Sequence, residues 1–189
     1  MSKFILWCGL CVLFYSCATT NIISEKKRPY ASYDIPYALK EIRIIEGRDS
    51  TYLTREDIKL PFFSSPGQEI TIYPALAEVY KEIIRRAVQR GFNSTDDSGA
   101  AVVFVTILQA EKMFSATWKA ETERARVVVN MSLISPSGRM DAIGSADLYV
   151  RSIDAKNKRF EEIFQKAFSE AIEQATQQLK LYTDDLEWK

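Results

Sequence analysis

The chain has 189 residues, 25 Lys and Arg against 25 Asp and Glu, and no histidine. Balanced charge argues against a polyanion such as nucleic acid as partner. Without histidine the chain has no Ser-His-Asp or Cys-His arrangement, and it lacks the commonest general base and metal ligand. No cofactor or metal site is expected. Ten Phe, nine Tyr and three Trp provide the material for one sizeable core.

The three cysteines, Cys8, Cys11 and Cys17, all lie within the first 17 residues. Cys8 and Cys11 form a CxxC, but inside an apolar run (FILWCGLCVLFY, residues 4–15) with no second CxxC. A redox or metal role is therefore improbable, and that run is too short to be a transmembrane helix, which needs about 20 apolar residues. Lys3 precedes it, and Ser16, a small residue, stands directly before Cys17. This arrangement resembles a relaxed bacterial lipoprotein signal, with Phe14 and Ser16 at the two diagnostic positions and Tyr15 bulkier than the strict motif. The resemblance implies cleavage between Ser16 and Cys17, a diacylglycerol thioether on Cys17 and acylation of its new amine, anchoring the protein to a membrane. Ala18, rather than an aspartate, follows the cysteine, which by the same resemblance implies the outer membrane, facing the periplasm. The alternative is an uncleaved anchor or a plain secretory signal. The domain reading is a signal over 1–16, a polar tether over 17–38 with two prolines, one folded domain over 39–183 and a polar tail over 184–189.

Within the domain, residues 40–46 (KEIRIIE) read as a short strand with Ile42 and Ile44 on one face. Residues 48–73, containing LPFFSSPG, read as a long loop of the kind that is often functional. Residues 74–90 read as an amphipathic helix with Leu76, Val79, Tyr80, Ile83, Ile84, Ala87 and Val88 on its apolar face, opened by Pro74 and closed by Gly91. Residues 100–109 (AAVVFVTILQ) form an apolar, β-branched run, expected as a central strand buried on both faces. Residues 111–123 (EKMFSATWKAETE) read as a loop.

Residues 125–133 and 140–150 alternate around Ser135-Pro136-Ser137-Gly138, the signature of a hairpin with a type I turn. If Ile134 pairs with Arg139, then Leu133 meets Met140, Val129 meets Gly144 and Val127 meets Ala146, so both apolar sets share one face. The same register sets Arg126 opposite Asp147 as an expected ion pair. Residues 158–182 read as a second amphipathic helix. The order β-α-β-β-β-α predicts an α+β two-layer sandwich: a mainly antiparallel four-stranded sheet with two helices on one face. The other face, with Arg124, Arg126, Val128, Asn130, Asp141, Ile143, Asp147 and Tyr149, stays open to a partner.

The lipobox, the helix ending RRAVQRGF, the strand-like AAVVFVTILQ and the hairpin tipped by SPSG resemble, in pattern and order, the LptE family of lipopolysaccharide-assembly lipoproteins. YajG-like lipoproteins, transport-auxiliary lipoproteins and LpoB-like activators of cell-wall synthases share much of this pattern. The resemblance implies a non-catalytic lipoprotein that assists outer-membrane assembly with a β-barrel partner and contacts lipopolysaccharide. The expected contact residues are Met113, Phe114, Trp118, Lys119, Arg124 and Arg126, with Lys112 nearby; Phe114 and Trp118 fold back over the sheet edge in the alternative reading. Two other functions stay open: regulation of a cell-wall synthase, or an auxiliary subunit of a transport system. For an enzyme the candidate carboxylates are Asp96, Asp97, Asp141 and Asp147, but no nucleophile-base pair accompanies them, so no catalytic residue is expected.

Overall fold

The structure, a computed structural model, describes residues 21–22, 34–54, 58, 67, 69–92 and 100–187. The expected signal segment, Ser16, Cys17, Asp96 and Asp97 lie outside the described residues. The elements are β1 (Asn21–Ile22), β2 (Ala38–Glu46), β3 (Glu69–Ile72), α1 (Glu78–Gln89), β4 (Ala100–Ala116), β5 (Glu121–Ser135), β6 (Gly138–Ser152) and α2 (Asn157–Glu187). The strands form one mixed sheet in the order β1-β6-β5-β4-β2, with β3 also on β4. Only the β2–β4 pairing is parallel. The expected α+β architecture is present, with two short strands, β1 and β3, beyond the expected four.

The β5–β6 hairpin has the register that the apolar alternation requires: Leu133 opposite Met140, Val129 opposite Gly144, Val127 opposite Ala146. Odd residues of β5 and even residues of β6 are buried against the helices. On β4 the inward set is Ala101, Val103, Val105 and Ile107, and then Ala110, Lys112 and Phe114. A one-residue bulge at Leu108, between Ile107 and Gln109, moves the inward positions from odd to even. The strand is 17 residues long rather than ten, and its even positions Val102, Phe104 and Thr106 are only half-buried. The expectation of burial on both faces fails because no element among the described residues packs on the outer side of the sheet.

Helix α2 spans roughly 46 Å at about 1.5 Å per residue, which matches the roughly 50 Å of β5. It lies close to β6. A Cβ on Gly144 would stand 1.8 Å from the Ala171 carbonyl oxygen, so only glycine fits there. Ala167, Ala171 and Ala175, one helical repeat of four apart, line this contact. Between the helices Tyr80, Phe164 and Phe168 form an aromatic cluster with ring centroids 5.1 to 5.4 Å apart. The helix continues to Glu187, four residues into the segment expected as a loose tail. There Thr183 is buried and donates its hydroxyl to the Lys180 carbonyl at 2.8 Å, and Lys180 pairs with Asp184 at 2.5 Å.

Helix α1 begins at Glu78 rather than at Pro74. The backbone before it is committed elsewhere: Thr54 N donates to Tyr73 O at 2.7 Å and Ala75 N to Thr54 O at 3.3 Å. Arg48, its side chain buried, fastens the same connection by donating to Ala110 O and Pro74 O at 2.8 and 3.0 Å. The segment 48–73 is therefore not one loop. It holds a 3-10 turn at Ser50–Tyr52 and strand β3, which pairs with residues 112–115 of β4. Two parts of the 17–38 segment likewise belong to the fold: β1 on the edge of β6, and Ile35, fully buried, whose N–H donates to Gly91 O at 3.0 Å. Neither lies in a periodic run, so the local composition reads as linker.

Gly144→Ala is expected to destabilise the fold by about 3 kcal/mol, because the added methyl meets α2 backbone. Chemical denaturation of the two proteins checks this; an unchanged midpoint contradicts the close helix–sheet contact.

Candidate functional site

The outer face of the sheet is covered by no helix among the described residues. Its rows follow from the register. Arg43, Phe104, Ser132 and Asp141 stand side by side across β2, β4, β5 and β6, and the next row is Ile45, Thr106, Asn130 and Ile143. Ile143 is 55% exposed, and Ile45 and Ile134 are also exposed. The Arg43 guanidinium lies over the Phe104 ring at 5.4 Å and pairs with Glu41 at 2.8 Å. Asp141 accepts from Ser132 and from Arg139, and these bonds hold its carboxyl below the usual range, against a smaller effect of burial. A face of exposed isoleucines among satisfied polar pairs has the make-up of a non-obligate protein interface.

The expected ion pair of Arg126 with Asp147 is corrected. The two residues are opposite each other, as the register required, but Asp147 accepts from Nε and Nη2 of Arg124. Arg124 sits on the diagonal, one pair further along the strand, and a long side chain on a twisted sheet reaches that neighbour. The Arg124 bonds hold the Asp147 carboxyl low. Arg126 is exposed, and its side chain makes no hydrogen bond or salt bridge among the described residues.

The six expected contact residues do not form one patch. The 111–123 segment is mostly strand: β4 runs to Ala116, β5 starts at Glu121, and only residues 117–120 turn. Phe114 is 1% exposed and packs with Ile58, Ala155 and Phe160: it is a paired strand residue turned inward, neither a surface contact nor a loop residue folded over the sheet edge. Met113, half-buried, Arg124 and Arg126 belong to the outer face. Trp118, 89% exposed, and Lys119 stand at the turn. Thr117 builds that turn, its Oγ1 accepting from Ala120 N at 3.1 Å while its N–H donates to Ala120 O at 2.8 Å.

Lys112 is turned inward, 1% exposed, with its Nζ 2.8 Å from Glu161 Oε2 and 5.2 Å from the centre of the Phe164 ring. Tyr80 Oη donates to the same oxygen at 3.1 Å. A second inward carboxylate, Glu123, is fully buried and accepts from Arg159 at 2.7 and 2.8 Å and from Lys156 N at 2.6 Å. Glu121 accepts from Ala155 N at 2.6 Å. Two strand carboxylates thus meet the backbone N–H groups just before α2, where the helix dipole favours negative charge. These groups explain the fold rather than a reaction. Among the described residues no group of three or more Cys, Asp or Glu is placed to hold a metal ion.

Sequence reasoning missed Ile153, 74% exposed beside the end of β6, and the inward aim of Lys112. The first has no periodic signal. The second was hidden because a lysine at an apolar position breaks the alternation that marks a strand.

Burial pushes the Glu161 carboxyl up, but hydrogen bonds from Lys112 and Gln165, with the Lys112 charge, outweigh it and leave the group below its ordinary 4.5. A depressed carboxyl stabilises the fold above its unfolded value and loses that contribution as pH falls through the folded one. Unfolding free energy should therefore drop as pH falls below 4.5, and Glu161→Gln should make the drop shallower. At neutral pH Glu161→Gln is expected to cost about 2 kcal/mol by removing the charge from the carboxylate that Lys112 and Tyr80 share, and adding Lys112→Met should restore part of it. Denaturant titrations across pH measure both.

No family model and no curated protein matches the sequence. Among solved structures, the chain is similar to a Xanthomonas campestris protein of the DUF330 family model at 13% identity and a TM-score of 0.37, covering 90% of this chain and 95% of that one. It is also similar to a candidate lipoprotein from Caulobacter crescentus at 12% identity and a TM-score of 0.32, covering 58% of this chain and 80% of that one.

Proposed function

We propose that this chain is a non-catalytic, lipid-anchored binding module of the bacterial cell envelope, and that the outer sheet face receives a protein partner. The observation that carries the reading is the one-sided sheet. Both helices cover one face, while the other presents Ile45, Ile134 and Ile143 to solvent among paired charges. The anchor comes from the lipobox-like segment ending at Cys17. No described helix is long and apolar enough to cross a membrane. The specific form of the proposal, suggested by the LptE-like order of elements, is assistance to outer-membrane assembly: placement of lipopolysaccharide together with a β-barrel partner. The dispersed expected contacts weigh on the side of protein rather than lipopolysaccharide as the ligand of this face. Arg124 is neutralised by Asp147 and Phe114 is inside, so phosphate contact falls to Arg126 and Lys119.

A photo-crosslinking residue at Ile143 or Ile45 in the cellular protein is expected to join a β-barrel membrane protein, and one at Lys166 on α2 to give none. Depletion should lower surface lipopolysaccharide. Adducts with a periplasmic enzyme domain instead, or unchanged lipopolysaccharide, would replace the assembly role with the synthase-regulator or transport-auxiliary reading.

A further inference from the structure

We propose that the end of the sheet carrying Trp118 and Ile153 rests on the bilayer that holds the chain's own lipid anchor. The proposal depends on the reading of Cys17 as the lipidated residue and adds an orientation to it. Strand β1 fixes that orientation. Asn21 pairs with Arg151 and Ile22 with Val150, antiparallel, so β1 begins, at Asn21, towards the Ser152 end of β6. The register puts Ser152 opposite Glu121, the first residue after the 117–120 turn. The anchor therefore approaches the end of the sheet that bears Trp118 and Ile153. Cys17 stands four residues before Asn21. Four residues reach at most about 14 Å, so a lipidated Cys17 keeps this end within that distance of the headgroups.

The surface at this end suits a bilayer. Trp118 and Ile153 are the most exposed large apolar residues of the described fold, at 89% and 74%. Tryptophan partitions to the boundary between headgroups and acyl chains, where its ring is apolar and its N–H finds water. The Thr117 bonds hold the turn in one shape, so little ordering is lost on docking. The other tip of the sheet, Ser135-Pro136-Ser137-Gly138, offers no large apolar side chain. Charge is close to balanced: Lys156 has Asp154 at 3.3 Å and Lys158 has Glu162 at 3.9 Å. Apolar contact, rather than attraction to anionic lipid, then drives docking. Two side chains bind a membrane weakly alone, but a short tether makes the contact intramolecular and raises its effective concentration.

The test uses the lipidated full chain in vesicles of phosphatidylethanolamine and phosphatidylglycerol, with and without brominated acyl chains. Trp7 lies in the segment removed with the signal, and Trp188→Phe leaves Trp118 as the sole fluorophore. Mass measurement of the N-terminal peptide reports acylation independently. Acylated protein whose Trp118 emission is largely lost on bromolipid, with part of it recovered in Ile153→Ser and little change at high salt, supports the proposal. Acylated protein with unquenched Trp118 overturns the docking and leaves the anchor standing, as does a blue shift without quenching, which means a protein surface covers the ring. Absence of acyl chains on Cys17 overturns the anchor, and the docking with it.

Discussion

One extra residue in β4 organises the far half of the molecule. Without the bulge at Leu108, Glu111, Met113 and Ser115 would point at α2, and Lys112 and Phe114 at solvent. With it, Phe114 enters a second small core with Ile58, Ala155 and Phe160, and Lys112 meets Glu161. The strand then stays in register with β5 for another eight pairs, and β3 finds an edge to pair with. A bulge leaves its own residue unpaired, a local cost offset by a continuous inner face. The turn that presents Trp118 stands where it does because both strands can run on past the bulge.

Inner polar groups follow the same division of labour. Lys112 and Glu123 occupy inward strand positions among apolar side chains, yet each has a partner on α2, Glu161 and Arg159 respectively. Buried pairs of this kind add little net stability, but they penalise any other placement of the helix, because a slipped helix would strand a charge. Gly144 acts in the same direction sterically, by admitting α2 at a single point of closest approach. The helix is thereby fixed along its length by shape near its middle and by charge near its start.

The outer face shows the opposite pattern. Three of its arginines pair with neighbours on the same sheet, Arg43 with Glu41, Arg139 with Asp141, Arg124 with Asp147. Exposed surface pairs contribute roughly 0–1 kcal/mol each. At this face they intersperse charge among the exposed isoleucines and so break up what would otherwise be a larger apolar patch.

Periodicity in the sequence settled the α+β class, the inward face of β2, the β5–β6 register down to Val127 opposite Ala146, and most of the apolar stripe of each helix, because each depends on the regular repeat of the backbone; on α1 the expected stripe fails at Val79, which is exposed, and at Leu76, which precedes the helix. The lipobox-like stretch before Cys17 is legible for a similar reason: it is a local pattern. The tertiary structure alone decided the features that break a period or join distant segments. These are the bulge at Leu108, the capture of Ile35 and of Asn21–Ile22 by the fold, and the late start of α1 where Thr54 takes its first backbone groups. The choice of Arg124 over Arg126 by Asp147 belongs with them, since a register names the opposite residue but sheet twist selects the diagonal one. So does the site: Phe114 and Trp118 are four residues apart in one polar-looking stretch, and the pleat beyond the bulge buries the first while the end of β4 at Ala116 leaves the second exposed on the turn.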